Sequence, residues 1–306
     1  MFLTHKTLSH FAFIYCFFSF VQTAEEEQGE LLRTTRINFV RTIQALKNSS
    51  LLLEKVVEKL SEERIYPKNC AELHSLGDRV SGIRRVYPFG DPYSFILVWC
   101  DQETDGGGWT TIQRRVNLQP RENFVRSWIE YVIGFGYLPG EFWLGLRNIH
   151  SLVNTQLMSL RMDLEDYLGE KRWAKYQTFY VDSEATNYTV STTQYSGDAG
   201  DVFNHPNAGH SGLMFSTYDR DNDNSSFHCA EKFKGGWWYN KCHIININGF
   251  PYQGPDAPYA EGITNLLWHG HNYSLKKTVM LIRPSFNQGS KSPPRPMASK
   301  DQLYSL

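Results

Sequence analysis

Three carboxylates alternate along Asp219-Arg-Asp221-Asn-Asp223-Asn. Like charges this close repel one another unless a cation lies among them. Calcium gathers about six to eight oxygens, and alternating Asp residues in a loop deliver several of them to one point. The stretch departs from an EF-hand, with Asn224 at the sixth position in place of glycine and Ala230 at the twelfth in place of glutamate. A solvated acidic turn fits the same residues equally well. A second run, Gly235-Gly-Trp237-Trp238-Tyr239-Asn240-Lys241-Cys242-His243, joins paired glycines to a block of aromatics. The glycines permit tight backbone, and the rings either pack in a core or line a pocket. Packing alone suffices to explain Trp237 and Trp238. His243 and His269-Gly-His271 offer nitrogen ligands for a transition metal, although histidines in no set spacing are mostly structural. No nucleophile elbow, phosphate-binding loop or zinc-protease helix motif occurs, so the residues point away from an enzyme.

The elements that must carry these residues follow from the rest of the chain. Phe11 to Val21 is an apolar run after His5 and Lys6, too short to span a bilayer, with Ala24 before an acidic stretch. Residues 1–24 read as an export signal, with an uncleaved anchor as the alternative. No later stretch is apolar enough to cross a membrane, so a secreted protein without membrane insertion is expected. Five cysteines occur, and Cys16 leaves with the signal. Cys70, Cys100, Cys229 and Cys242 remain. In an oxidising compartment they form two disulfides in one of three connectivities, of which nearest-neighbour pairing is the simplest. A zinc site made of all four lacks paired knuckles.

Residues 25–66 form a helical segment. Leu32, Phe39, Leu46, Leu53 and Leu60 recur every seventh residue, with Ile43 and Val57 on the neighbouring seam position. The pattern predicts an oligomerising coiled coil, or an amphipathic helix packed on its own domain, with a possible break at Asn48-Ser49-Ser50. From residue 67 to 284 short apolar runs alternate with turn signals. Phe95–Trp99, Trp109–Ile112 and Val279–Ile282 read as strands, and Asn123–Tyr131 and Ile149–Gln156 as short helices. The fold class is α+β, with a mixed or antiparallel sheet, short helices and long loops. Residues 285–306, rich in Pro, Ser and Lys, read as a disordered tail. Sequons at Asn48, Asn187 and Asn272 are candidate glycosylation sites, whereas Asn224 lies inside the acidic loop. With 31 basic and 32 acidic residues, the overall balance gives no reason to expect nucleic acid as partner.

Several ordered motifs resemble the fibrinogen C-terminal domain family, which includes ficolins, tachylectin-like lectins and angiopoietin-like proteins. They are Cys100-Asp101, Asp105-Gly-Gly-Gly-Trp109-Thr-Thr-Ile-Gln-Arg114-Arg115, Gly134-Phe-Gly136 and Gly140-Glu141-Phe-Trp143-Leu-Gly145-Leu. Tyr195-Ser-Gly-Asp-Ala-Gly200-Asp201, Phe215-Ser-Thr-Tyr-Asp219, the Gly236–His243 run, Asn248-Gly249 and Tyr273-Ser-Leu-Lys276-Lys277 follow in order. The resemblance covers roughly residues 69 to 284. It implies disulfides Cys70–Cys100 and Cys229–Cys242. It also implies a calcium ion held by Asp221 and Asp223 with the carbonyls of Ser225 and Phe227, leaving Asp219 in a supporting place.

In the acetyl-binding members of the family, the corresponding amides of Cys242 and His243 take the acetyl oxygen, aimed by a cis peptide before the cysteine. Phe233, Tyr259, Ala260 and His271 would surround the methyl. Phe233 and His271 stand where acetyl-binding lectins often carry Tyr. The resemblance therefore implies a secreted, calcium-dependent lectin for acetylated, N-acetylglucosamine-like glycans, multivalent as a homo-oligomer. The alternative is an angiopoietin-like ligand for a cell-surface receptor. Protonation of His243 and His271 near pH ~6 is expected to weaken ligand binding.

Overall fold

The computed structural model describes residues 5–62 and 66–285, and the chain divides into two units, 1–65 and 66–306. In the first unit α1 (His5–Glu62) is continuous through Ala24 and through Asn48-Ser49-Ser50. The polar spacer does not break it, because Ser49 Oγ donates to the Ala45 carbonyl and Gln44 donates to the Asn48 side chain within the same turns. Leu32, Phe39, Ile43, Leu46 and Leu53 stand exposed along it. Among the described residues no helix is long and apolar enough to cross a membrane. The expected disordered tail, beyond Ser285, lies outside the described residues.

The second unit is built on β1 (Gly82–Val86), β2 (Ile96–Asp101), β3 (Trp109–Arg115), β4 (Phe135–Gly136), β5 (Phe142–Trp143), β6 (Met158–Glu165), β7 (Lys171–Val181), β8 (Val190–Gly197), β9 (Ile245–Asn246), β10 (Thr264–Asn265) and β11 (Lys277–Pro284). The main sheet runs β1-β2-β3-β11-β6-β7-β8, with β5 and β4 attached at β3. Every pairing is antiparallel. The last strand among the described residues, β11, thus lies in the middle of the sheet, between β3 and β6. The period-two pattern buries one face, where Leu160, Met162, Tyr176, Met280 and Ile282 are closed to solvent. The pair β9–β10 forms a small second ribbon among long loops.

Four further helices are short: α2 (Cys70–Ser75), α3 (Trp128–Ile133), α4 (Leu146–Val153) and α5 (Cys229–Lys232). Two of them begin elsewhere than the sequence suggests. Asn123 Oδ1 accepts from the Val125 amide, so the predicted start of α3 is a turn. The helix opens at Ser127, whose amide and hydroxyl both donate to Glu130. Three residues earlier than expected, α4 starts after Gly145, whose φ of 100° carries the backbone within reach of Ile133, where a Cβ would meet main-chain atoms at 2.7 Å.

A buried charge cluster closes the end of β3. Arg115 is fully buried, lies 3.9 Å above the Phe124 ring and donates to the Gly249 carbonyl at 3.0 Å. Burial pulls its guanidinium down to about 10, and Glu141 opposes that shift. Glu141 also accepts from the Val116 and Glu122 amides and from Arg121. Replacing Glu141 with Ala would strand a buried cation. The expected loss is about 3–5 kcal/mol of unfolding free energy in urea titration. A loss below about 1 kcal/mol would show that the cluster does not hold the domain together.

Candidate functional site

Both disulfides join nearest neighbours, Cys70 to Cys100 and Cys229 to Cys242, each with Cα atoms 5.4 Å apart. The second ties α5 to the aromatic run and so brings the acidic loop beside it. Behind that run the backbone at Gly236 lies against the Tyr131 ring, where a Cβ would come within 2.6 Å, and its amide donates to the Tyr131 hydroxyl at 3.0 Å. Trp237, Trp238 and Tyr239 are fully buried in the core.

The three aspartates of the loop have different tasks. Asp219 Oδ1 accepts from the Trp128 amide at 2.8 Å and from the Thr217 hydroxyl at 2.7 Å. It therefore satisfies the first amide of α3 from 91 residues away in sequence. Asp223 accepts from the Ser225 amide at 2.8 Å and, through its other oxygen, from the Cys229 amide that begins α5 at 2.9 Å. Asp221 accepts from the Asp223 amide at 3.1 Å. Burial raises the Asp223 carboxyl above its ordinary value, its two amide donors oppose this, and the neighbouring Asp221 raises it further. Among the described residues no cationic side chain pairs with either carboxylate, and no N–H or O–H donor reaches the carbonyls of Ser225 and Phe227. Nor do three His, Cys, Asp or Glu side chains converge anywhere among them. Two like charges beside two uncommitted carbonyls make an all-oxygen set, completed by water, and that donor chemistry fits calcium.

Asn240 connects the loop to the expected ligand amides. Its carbonyl accepts from the Asn224 amide at 3.2 Å, and its own amide donates to the Cys242 carbonyl at 2.7 Å. The amides of Cys242 and His243 donate to no acceptor among the described residues. The Lys241–Cys242 peptide is trans, in contrast to the cis bond that the resemblance implied.

The six expected ligand residues converge, but they leave little room. His243 fills the middle, with its ring 4.8 Å from Phe233, 5.8 Å from Tyr239 and 5.5 Å from His271. Its Nε2 hydrogen-bonds the Ala260 carbonyl at 3.1 Å, and Ala260 takes a left-handed φ of 62° while donating its amide to the His271 carbonyl. Phe233 and Ala260 are buried; the Tyr259 ring lies tilted against His271 at 4.9 Å and is 65 % exposed, forming an open rim. Two members of this assembly, Asn240 and Tyr239, carry no site role in the sequence reading beyond their place in the aromatic run. They stand inside the same aromatic run, yet nothing in the residue order tells which side chain faces the cysteine.

Of the sequons, Asn48 lies exposed on α1 and Asn272 is exposed near Ala257. Asn187 is half-buried, in the left-handed region, with its side-chain oxygen accepting from Arg220 at 2.7 Å. Asn224 is exposed within the acidic loop.

A family model, fibrinogen beta and gamma chains, C-terminal globular domain, matches residues 66–285. The chain belongs to this family. Techylectin-5A of Tachypleus tridentatus is 42 % identical over 220 residues, spanning 71 % of this chain and 74 % of that protein. Fibrinogen-like protein 1 of Homo sapiens is 42 % identical over 243 residues, 76 % of each chain. Among solved structures, the fibrinogen-like globe domain of human ANGPTL2 superposes with a TM-score of 0.67 at 41 % identity, covering 72 % of this chain and 99 % of that one.

Titration of the buried rings differs from the expectation near pH ~6. Burial holds His243 well below the usual imidazole value, with His210 and His271 pushing the same way and the Ala260 carbonyl opposing. His271 is lowered by burial, and burial pushes His210, bonded to the Trp238 carbonyl, down to about 4. Each folded-state value lies below that of the unfolded chain. The neutral rings thus contribute fully above about pH 6.5, and the contribution is lost as pH falls toward the folded values. Urea midpoints should fall between pH 7 and pH 5, with His210 alone withdrawing about 1.4 kcal/mol per pH unit below ~6.5. Equal midpoints would show that the rings are not held neutral.

Proposed function

We propose that the protein is a secreted, non-catalytic lectin that uses calcium to recognise acetylated carbohydrates. The observation that carries this is the hydrogen-bonded path from Asn224 through Asn240 to Cys242, joining an uncompensated carboxylate pair to two amides without acceptors. Asp221, Asp223 and the carbonyls of Ser225 and Phe227 would hold the ion, which supplies the missing positive charge. The chain does the rest. Asp223 ties the loop to α5, Asn240 transmits its position, and the Cys242 and His243 amides offer donors for a carbonyl oxygen. Tyr259 presents a ring face beside them for a methyl or a sugar ring, with Phe233, Ala260 and His271 behind. A relative whose name marks it as a lectin supports this reading.

The exposed apolar seam of α1 supports association of several copies. Multivalency raises avidity without new contacts, which a shallow site needs. The packed centre at His243 and the likeness to a human ANGPTL2 globe domain favour a second reading, a secreted ligand that holds a cell-surface receptor by protein contacts.

Retention on N-acetylated resin in calcium, release by free N-acetylglucosamine and release by chelator are the expected outcomes. Asp221→Asn should weaken calcium binding at least about tenfold, read by calorimetry, because a ligand charge is lost. Retention that survives chelation would sink the calcium link. Absence of retention together with saturable binding to deglycosylated cells would decide for the receptor ligand.

A further inference from the structure

The face of the main sheet opposite the buried core is strongly segregated in charge. Alternation places Lys171, Trp173, Lys175 and Gln177 of β7 outward, beside Arg161 of β6 and Lys277 and Arg283 of β11. With Lys276 this gives six cations on one face. Four carboxylates stand among them, one of which, Asp198, accepts from the Trp173 amide at 2.8 Å. Asp105 alone faces Lys175 at 2.9 Å, Arg283 at 3.7 Å and Arg161 at 3.9 Å. Glu165 is shared by Lys276 and Lys171, and Asp163 pairs with Arg161. Six positive groups against four negative ones leave a local excess, in a chain whose total formal charge is −1.

The shape of this face matches its charge. A cavity of ≈ 280 Å³ opens where Arg161, Lys171, Arg172, Trp173 and Lys277 meet the carboxylates of Asp163 and Glu165. Another of ≈ 400 Å³ opens between Lys175 and Arg283, with Ser159, Gln177, Gln194, Ser196, Pro284 and Ser285 forming the rest of its wall. From Lys171 to Gln177 the track is roughly 20 Å long at ~3.3 Å per residue. Cations spaced along a strand suit sulfate groups, and neutral hydroxyl and amide groups between them suit sugar hydroxyls. The aromatic rings on this face are covered, Trp173 by Arg161 at 5.1 Å and Trp109 by Arg283 at 4.2 Å. They are not free to stack nucleic-acid bases.

We propose that this open sheet face is a second binding surface, for a linear sulfated polysaccharide. It shares no residue with the acidic loop or with the Cys242–His243 assembly, and it needs no calcium. The test is the salt concentration that elutes the full chain from immobilised heparin, with chelator present. The wild type should be retained and should elute early from a desulfated matrix. Lys171→Glu, Lys175→Glu and Lys277→Glu combined should bind roughly tenfold more weakly at fixed ionic strength, from the loss of three charge contacts. Retention on N-acetylated resin should be unchanged, which separates this surface from the calcium site. If the triple variant unfolds early, Lys171→Gln with Lys277→Gln carries the same comparison. Elution of the variants at the wild-type salt concentration would overturn the proposal, as would duplex DNA competing as well as heparin.

Discussion

Three protein donors and one buried guanidinium converge on the carboxylate of Glu141, and much of the domain is arranged around that convergence. Through it the end of β3, the 121–122 turn and the start of β5 are held at one point. Arg115 extends the hold to the Gly249 carbonyl. The next residue, Phe250, pairs with Glu261, whose neighbour Ala260 receives His243. A charge buried this deeply tolerates little displacement, because moving either partner exposes an unpaired ion to an apolar interior. Its rigidity therefore reaches the back wall of the candidate site.

Much of the architecture was legible because strands declare themselves by composition and period. The apolar runs at 109–112 and 279–282 lie in strands, as does the run at 95–99 from Ile96 on, and each strand reaches further to residues whose pairing the sequence does not reveal. Helix starts were less legible. Asn123 and Ser127 are both competent caps, and only the reach of Glu130 back to Ser127 decides between them. The sheet order was not legible at all, since β11 pairs with strands that lie far from it in sequence.

The site divides in the same way. Disulfide pairing and the clustering of Phe233, Tyr259, Ala260 and His271 follow from a family resemblance spanning many ordered motifs. The different duties of Asp219, Asp221 and Asp223 are tertiary facts. Asp219 serves an amide in α3, and no local spacing records that. The local excess of cations was hidden for a related reason. Total charge sums over both faces of a sheet, whereas binding responds to one.

The central place of β11 has a bearing on how the molecule is made. The edges of β3 and β6 that face one another are satisfied only by residues 277–284, the last strand among the described residues. Until that strand has left the ribosome, the earlier part of the domain presents two raw strand edges with no intramolecular mate. A growing chain must therefore keep these edges open, or have them shielded by a chaperone, until residues 277–284 have emerged. Any transcript that ends early yields two half-sheets in place of a shortened but serviceable domain.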